Sequence, residues 1–291
     1  MMYRSRSERT YQIVIHAIVL LVVASAVFPL LYVLGMSLTG PAEMMSRNYF
    51  VIIPHDPVWA AYERILSSPL IWRSFGISVF RSFVGPALML MLTATGAYVL
   101  SVRTLPGRNF LLLLVVSTIL FNAGLIPTYL VVKQLGLVNS LWSLIALYLV
   151  DSFGLLVIKI FIENLPDGLI EAAKMDGAGE LQMLARVVIP LAAPALAAIG
   201  LFSIVFHWNS WFDAMVYLNN AHLFPMQLIL KNMLASASSD AMESLILNGN
   251  AVTPESMKMA TVVVGTLPIL LVYPFLQKYF VQGVYVGAVK G

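Results

Sequence analysis

The stretch 169–180, LIEAAKMDGAGE, places four charged side chains within ten positions of an otherwise apolar region. Three are carboxylates and one is an ammonium group: Glu171, Lys174, Asp176 and Glu180. Charged groups of this kind offer strong hydrogen bonds to an oppositely charged partner surface. A catalytic or metal centre is not indicated, because the chain has no Cys and its four His are scattered, without metal-ligand spacing: His16, His55, His207 and His222.

The residues around this cluster predict two short helices joined by a tight turn. Pro166 and Asp167 are typical of a helix start, and Asp176-Gly177 is typical of a helix end, where Gly tolerates a positive φ. A second helix is predicted from an apolar row at helical spacing: Leu181, Leu184, Val187 and Val188. Two such helices would form a rigid knob, and an ordinary solvated loop is the alternative interpretation.

The composition indicates that lipid is the main solvent of the chain. Of its 291 residues, 60% are hydrophobic and 11% are charged, whereas a soluble domain is about half apolar and a quarter charged. The net charge of +3 is modest and does not indicate nucleic-acid binding. The basic residues are better interpreted as signals of membrane topology.

Six apolar stretches are long enough to cross a bilayer, which takes about 20 residues. They lie at about 12–37, 79–102, 109–132, 138–160, 191–217 and 259–281. Pro190 and Pro194 are expected to break or kink the chain as it enters the fifth span. The rival interpretation of residues 1–26 is a cleaved signal peptide, but the apolar run continues beyond the usual signal length.

The distribution of Lys and Arg predicts which side of the membrane each loop occupies. With six spans, ten of the 17 Lys and Arg residues fall on the side of both termini and five on the opposite side, with Arg73 and Arg81, at the start of span two, left uncounted. The positive-inside rule therefore places both termini in the cytoplasm. The charged cluster between spans four and five is then cytoplasmic, whereas residues 40–72 and 218–257 form the two main outer loops.

Polar residues inside the predicted spans are candidates for the substrate pathway, because charge within a bilayer is costly and is often functional. The candidates are Asn122, Asp151, Trp208, Asn209, Trp211 and Asp213. Asn209 and Asp213 are expected on one helix face from their i, i+4 spacing. Alternatives are bonds to neighbouring helices for the polar residues and an interfacial aromatic belt for the Trp residues. Arg81 is expected to snorkel to the membrane surface.

A longer pattern around the knob resembles the EAA signature of bacterial ABC importer permeases. It comprises Glu171-Ala172-Ala173, then Asp176-Gly177-Ala178, then Val187-x-Ile189-Pro190. Further resemblance to the maltose-permease-like subunits of carbohydrate uptake lies in Gly124–Pro127, Trp208–Trp211 and the ending Gln277–Phe280, Gly283 and Gly287–Gly291. Among these subunits, the branch serving oligo- and polysaccharide importers is the most similar.

This resemblance implies an all-α bundle of six transmembrane helices with the type I ABC importer fold. It implies that the EAA knob couples the membrane bundle to a cytoplasmic ATPase, with contacts at Glu171, Ala172, Ala173, Asp176, Gly177, Ala178 and Pro190, and at Gly287 and Lys290 of the tail. The implied partners are a second permease that is a different polypeptide, two ATPases and an extracytoplasmic binding protein. The expected cargo is a sugar or an oligo- or polysaccharide, with an acidic saccharide among the options. ATP and Mg²⁺ would bind to the ATPases, since this chain has no GxxxxGK[ST] loop and no cofactor of its own is expected.

The resemblance also gives expected boundaries and a location. Residues 1–72 would hold the first span and an outer loop, 73–281 the permease domain with its coupling loop at 160–195, and 282–291 a cytoplasmic tail. The expected location is the bacterial inner membrane. Two alternatives stay open from the residues: a permease for another solute class, and an ion-coupled secondary transporter using Asp151. A membrane enzyme is less favoured, because no catalytic constellation is visible.

Overall fold

The computed structural model describes residues 6–236 and 252–288, and the ordered elements in these ranges are helical apart from one isolated bridge between Thr39 and Pro57. The chain divides into two compact units. The first comprises residues 1–69 and 230–267, and the second comprises residues 70–229 and 268–291.

The first unit contains a long N-terminal helix and two short helices that follow it. They are α1 (Arg6–Ser37), α2 (Pro41–Ser46) and α3 (Ala60–Leu66). The start of the last described helix, α14 (Pro254–Ala288), belongs to the same unit. Thr253 precedes α14, and its hydroxyl accepts a 3.0 Å hydrogen bond from the backbone N–H of Ser256, while the Ser256 hydroxyl accepts from the N–H of Thr253 at 3.0 Å. This reciprocal pair satisfies donors at the helix start.

The second unit is built around two long helices. The first is α4 (Pro69–Ser101), and the second runs without interruption from Glu180 to Asn209. Between them lie α5 (Arg108–Leu120), α6 (Leu125–Gln134), α7 (Ser143–Ala146), α8 (Ser152–Glu163) and α9 (Asp167–Met175). After them come α12 (Phe212–Tyr217), a 3₁₀ turn (Ala221–Leu223) and the start of α13 (Met226–Ser236).

The 180–209 helix is composed of three segments with different hydrogen-bond registers. They are α10 (Glu180–Met183), a π-helical turn (Leu184–Val188) and α11 (Ile189–Asn209). Of the expected break or kink at Pro190 and Pro194, the break does not occur, because the helix continues through both. The π turn shifts the hydrogen bonds directly before Pro190, whose ring nitrogen has no hydrogen to donate.

Among the described residues, three helices are long and apolar enough to cross a bilayer: Thr10–Ser37, Pro69–Ser101 and Glu180–Asn209. A fourth candidate is the pair α5 and α6, between which the chain bends by 117°. The predicted span over 109–132 is thus a bent pair of helices rather than one straight helix. Phe121 is extended and Gly124 has a φ of 79°, which ends α5 and starts α6 in a new direction.

The predicted fourth span is also interrupted. It comprises the four-residue α7 and the twelve-residue α8, which starts directly after Asp151. Twelve helical residues rise only about 18 Å, less than the thickness of the hydrocarbon core. Asp151 therefore marks a helix start within this segment.

Candidate functional site

The charged cluster at 169–180 forms the predicted helix, turn and second helix. α9 ends at Met175, and Gly177 adopts a φ of 80°. The N–H of Gly177 donates to the carbonyl of Lys174, and the N–H of Ala178 donates to the carbonyl of Ala173, both at 3.0 Å. These two bonds form a Schellman motif, which requires a left-handed residue where Gly177 stands. We call residues 167–183 the knob.

The tip of the knob is exposed and combines carboxylates with bare apolar side chains. Glu171 and Asp176 are exposed, while Met175 and Leu181 are 88% and 81% exposed. Leu181 therefore does not share a buried face with Leu184, although both belong to the predicted apolar row. Exposed large apolar groups with polar neighbours are typical of a contact surface for another protein.

The base of the knob is packed into the main core of the second unit. Met183, Leu184 and Val188 are buried there, with Ile170 and Ala173 packed against the same core. The other core side chains come from α4, α8 and α11: Met89, Ala97, Leu100, Leu155, Ile158, Ile162 and Ile199. Because interiors are close-packed, the knob is held rigidly at this base.

Polar contacts reinforce the end of the unit that carries the knob. The Tyr98 hydroxyl at the end of α4 donates to the carboxylate of Glu180, the first residue of α10. Arg108 of α5 forms an ion pair with Glu163 of α8, and its Nε donates to the carbonyl of Leu100 at 2.8 Å. These bonds connect α4, α5, α8 and α10.

Glu163 carries two cationic partners, since Lys159 Nζ lies 2.9 Å from its carboxylate in addition to Arg108. Burial opposes ionisation of this group, but the hydrogen bonds and positive charges of Lys159 and Arg108 outweigh that effect. Together they lower the pKa of Glu163 below its ordinary value of 4.5. The carboxylate therefore stays ionised, and its pairs stay intact, at neutral pH.

A second charged cluster lies deep in the unit. Arg81 of α4 is 1% exposed, and its Nη2 lies 2.6 Å from a carboxylate oxygen of Asp213, which is 4% exposed. Arg81 also donates to the carbonyl of Ser210 at 3.3 Å, to the carbonyl of Leu144 at 3.5 Å and to His207 Nδ1 at 3.3 Å. This acceptor role assigns the proton of a neutral His207 to Nε2.

Two sequence predictions about this cluster are wrong. Arg81 does not snorkel to the surface, because Asp213 supplies a counter-charge inside the protein. Asn209 and Asp213 do not share a helix face, because α11 ends at Asn209 and Ser210 is extended before α12 begins at Phe212. The same break separates His207 from Trp211.

Comparison with known proteins decides the family of this chain. Residues 104–285, more than half of the chain, match the family model described as the inner membrane component of binding-protein-dependent transport systems. The chain belongs to this family. It is accordingly an inner-membrane permease subunit, and its family consists of transport subunits rather than catalysts.

Similar proteins extend the match along the whole permease. The permease is 42% identical to protein LplC of Bacillus subtilis over 274 residues, which cover 92% of this chain and 90% of that protein. It is 39% identical to the polygalacturonan/rhamnogalacturonan transport system permease YtcP of the same organism, covering 98% and 99% of the two chains. A chain in a crystal structure of a bacterial ABC transporter that imports the acidic polysaccharide alginate superposes with a TM-score of 0.88 at 32% identity, covering 96% of this permease and 100% of that chain.

The candidate pathway residues of the permease fall into two groups. Trp208 and Asp213 are buried within the chain, with the Trp208 ring packed edge-on against Phe75 at 5.9 Å. Asn122, Asn209 and Trp211 are exposed, and Asp151 is half-buried. The Asn209 amide donates to its own helix at Val205 O, 2.9 Å away. The six candidates thus differ in exposure, and the carboxylate of Asp213 is paired with Arg81.

Two sets of residues in the permease were not identified as partners from the sequence. One is the pair Arg81 and Asp213, for which the available signal was that intramembrane charges usually pair with each other. The other is the set of bonds at the base of the knob, made by Tyr98, Glu180 and Arg108, for which no local sequence signal exists. Of the predicted tail contacts, Gly287 lies in α14 and Lys290 lies outside the described residues.

Proposed function

We propose that this permease is the membrane subunit of an ATP-driven ABC importer and translocates an oligo- or polysaccharide delivered by a solute-binding protein. The observation that carries the proposal is the exposed knob at 167–183, packed at its base into the core of a chain from the binding-protein-dependent family. The family match favours an ATP-driven system over the ion-coupled alternative.

An acidic saccharide is the favoured cargo. Two of the similar proteins carry names or titles that refer to acidic polysaccharides, namely alginate and polygalacturonan, whose uronate units bear carboxylates. Arg81 does not serve as their counter-charge, because Asp213 already neutralises it. Recognition of an acidic cargo therefore falls to the binding protein, the second permease or exposed groups of this chain.

The assembly we infer contains a second permease, two cytoplasmic ATPases that bind ATP and Mg²⁺, and an extracytoplasmic binding protein. This permease contributes six spans with both termini in the cytoplasm. The knob docks on an ATPase, where Glu171 and Asp176 meet basic side chains and Met175 and Leu181 bury their apolar surface. The tail at Gly287 and Lys290 adds a second ATPase contact. ATP-driven closure of the ATPases moves two knobs together and rocks the membrane bundles as rigid bodies.

A matched pair of glycine substitutions in the knob tests this coupling role. Gly177→Ala forces a residue with a Cβ into the left-handed region, at a cost of about 1–2 kcal/mol, whereas Gly179 has a φ of −71° and open space around it. In the reconstituted complex we expect Gly177→Ala and Glu171→Ala to lower solute uptake and solute-stimulated ATPase activity. Gly179→Ala is the control. Wild-type uptake and ATPase activity in both Gly177→Ala and Glu171→Ala would contradict the assignment.

A further inference from the structure

The helix that begins at the knob reaches far from it. Residues 180–209 form one helix of 30 residues, which corresponds to about 45 Å at 1.5 Å per residue. Its first residue, Glu180, lies in the knob, and its last residue, Asn209, lies next to the buried ion pair. A displacement of the knob can therefore be transmitted along one continuous helix.

This helix is connected to α4 near both of its ends. At the knob end, the Tyr98 hydroxyl donates to the Glu180 carboxylate. At the far end, Arg81 donates to His207 at 3.3 Å, to Ser210 O at 3.3 Å and to Asp213 at 2.6 Å. Tyr98 and Arg81 are 17 positions apart on α4, so the two connections are separated by about 25 Å along that helix.

Between the two connections, glycines of each helix lie close to side chains of the other, which opposes sliding of the helices past each other. A Cβ on Gly85 of α4 would lie 2.7 Å from His207 Nε2, and a Cβ on Gly200 of the 180–209 helix would lie 2.8 Å from Leu90 Cδ1. Each glycine thus receives a side chain of the opposite helix. Interlocking packing of this kind has discrete arrangements rather than a continuous range of them.

We propose that α4 and the 180–209 helix form a lever fastened at both ends, and that Tyr98 and Arg81 are positioning residues for coupling. The bond from Tyr98 to Glu180 couples the movement of α4 to that of the knob. The bonds of Arg81 couple the movement of the segment after Asn209 to that of α4. Through these two bonds, a movement of the knob is delivered to residues 207–213 at the opposite end of the helix pair. The proposal rests on the proposed function, because it requires the knob to be driven by an ATPase.

The Tyr98–Glu180 bond is suited to a positioning role because it lies at an exposed place. Exposed polar contacts contribute little to global stability, whereas the core around Met183, Leu184 and Val188 already holds the fold together at this end. Removing the hydroxyl alone should therefore leave folding and assembly intact and change how the knob and α4 move together.

The test compares Tyr98→Phe with Tyr129→Phe in the complete complex reconstituted in proteoliposomes. Tyr129 lies elsewhere in the unit, stacked on Tyr217 at 6.1 Å. We expect Tyr98→Phe to assemble normally and to lower the amount of solute transported per ATP hydrolysed by roughly fivefold, the factor that corresponds to one ordinary hydrogen bond. Tyr129→Phe should keep the wild-type ratio, and an unchanged ratio in Tyr98→Phe would overturn the proposal.

Variants of Glu180 separate the lever from a direct contact with the ATPase. Glu180→Gln keeps an acceptor oxygen for Tyr98 and should retain the wild-type ratio, whereas Glu180→Leu should match Tyr98→Phe. The double variant Tyr98→Phe/Glu180→Leu should be no worse than either single variant, because both remove the same bond. Additive losses would show that Glu180 acts through another partner and would overturn its place in the lever.

The far end of the lever is tested by Arg81→Lys, which keeps the charge opposite Asp213 but loses the planar fork of donors. We expect Arg81→Lys to give a folded complex with a lower ratio of solute transported to ATP hydrolysed. Arg64→Lys in α3 is the control and should keep the wild-type ratio. A wild-type ratio in Arg81→Lys would overturn the role of this end. Failure of the underlying function is distinguishable, since the wild-type complex would then show no ATP-dependent uptake at all.

Discussion

At the scale of single residues, the buried pair Arg81–Asp213 determines how the interior of this permease is organised. The guanidinium neutralises the only carboxylate within its reach among the described residues and also satisfies carbonyls of Leu144 and Ser210. A cation near the last turn of α11 also complements the negative end of that helix. One side chain thereby fixes α4, the end of α11 and the segment around α7.

Removal of one charge from this pair should be strongly destabilising. Arg81→Met leaves the carboxylate of Asp213 buried without a counter-charge, for which the expected loss of unfolding free energy is about 3–5 kcal/mol. Thermal or denaturant unfolding of the detergent-solubilised complex measures it. The double variant Arg81→Met/Asp213→Leu should recover much of the loss, because it leaves no unpaired charge. A double variant as unstable as the single one would contradict this explanation.

The sequence reveals this pair only in part. Hydropathy places Arg81 and Asp213 in separate apolar segments 132 positions apart, and no local rule joins residues at such a distance. The helical spacing of Asn209 and Asp213 was misleading, because Ser210 ends the helix between them. By contrast, the turn at Gly177 depends only on neighbouring residues, and the prediction for it is confirmed.

At the scale of helices, the contact between α4 and the 180–209 helix depends on glycines at two positions. Gly85→Ala would place a methyl group 2.7 Å from the His207 ring, whereas Gly76, on the same helix, has nothing within 4 Å of such a methyl. We expect Gly85→Ala to lower the free energy of unfolding by about 1–3 kcal/mol through overpacking. Gly76→Ala, the matched control, should be neutral or slightly stabilising.

Unfolding of the two variants under the same conditions checks this prediction. The two glycines lie nine residues apart on the same helix, α4. Expression level and detergent therefore affect the stability of both variants alike. Equal stability of Gly85→Ala and Gly76→Ala would show that the two helices do not approach each other as closely at His207 as the structure indicates.

The ion pairs of Glu163 make the connection between α5 and α8 sensitive to acid. The pKa of Glu163 is lower in the folded chain than its ordinary value of 4.5, so the folded state binds fewer protons than the unfolded state. The resulting stabilisation is fully present above pH 4.5 and is lost as the pH falls through the folded pKa. Glu163→Gln should therefore be less stable than the wild type at pH 7, with the difference shrinking towards pH 3.

Unfolding curves of both proteins between pH 7 and pH 3 measure this difference. Glu171→Gln is a suitable control, because Glu171 is exposed at the tip of the knob. A constant gap between Glu163→Gln and the wild type across the whole range would mean that the pairs with Arg108 and Lys159 do not stabilise the fold.

Helix boundaries follow from the sequence where local signals and hydropathy agree. α1 contains the predicted span 12–37, and α4 covers the predicted span 79–102 to within one residue. The 180–209 helix covers the predicted span 191–217 only as far as Asn209, because Ser210 is extended. The bend after Phe121 was not predicted, because the apolar run is continuous across it and outweighs the signals from Gly124 and Pro127. α7 and α8 show the same effect, since hydropathy responds to apolar character and not to backbone continuity.

At the scale of the whole molecule, the permease proposed here receives movement at an exposed knob and passes it along a pair of interlocked helices. The composition alone predicts a membrane protein, and the EAA pattern predicts its family, which the comparisons confirm. The partners and the cargo depend on surfaces that meet other chains, so a single sequence carries little information about them.

Import of a saccharide by the complete transporter is tested by uptake of a labelled acidic oligosaccharide into proteoliposomes that contain this permease with its second permease, ATPases and binding protein. We predict accumulation that requires both ATP and the binding protein and that falls in Gly177→Ala but not in Gly179→Ala. Equal uptake without the ATPase subunits, driven instead by an ion gradient, would show that this permease is not part of an ATP-driven importer.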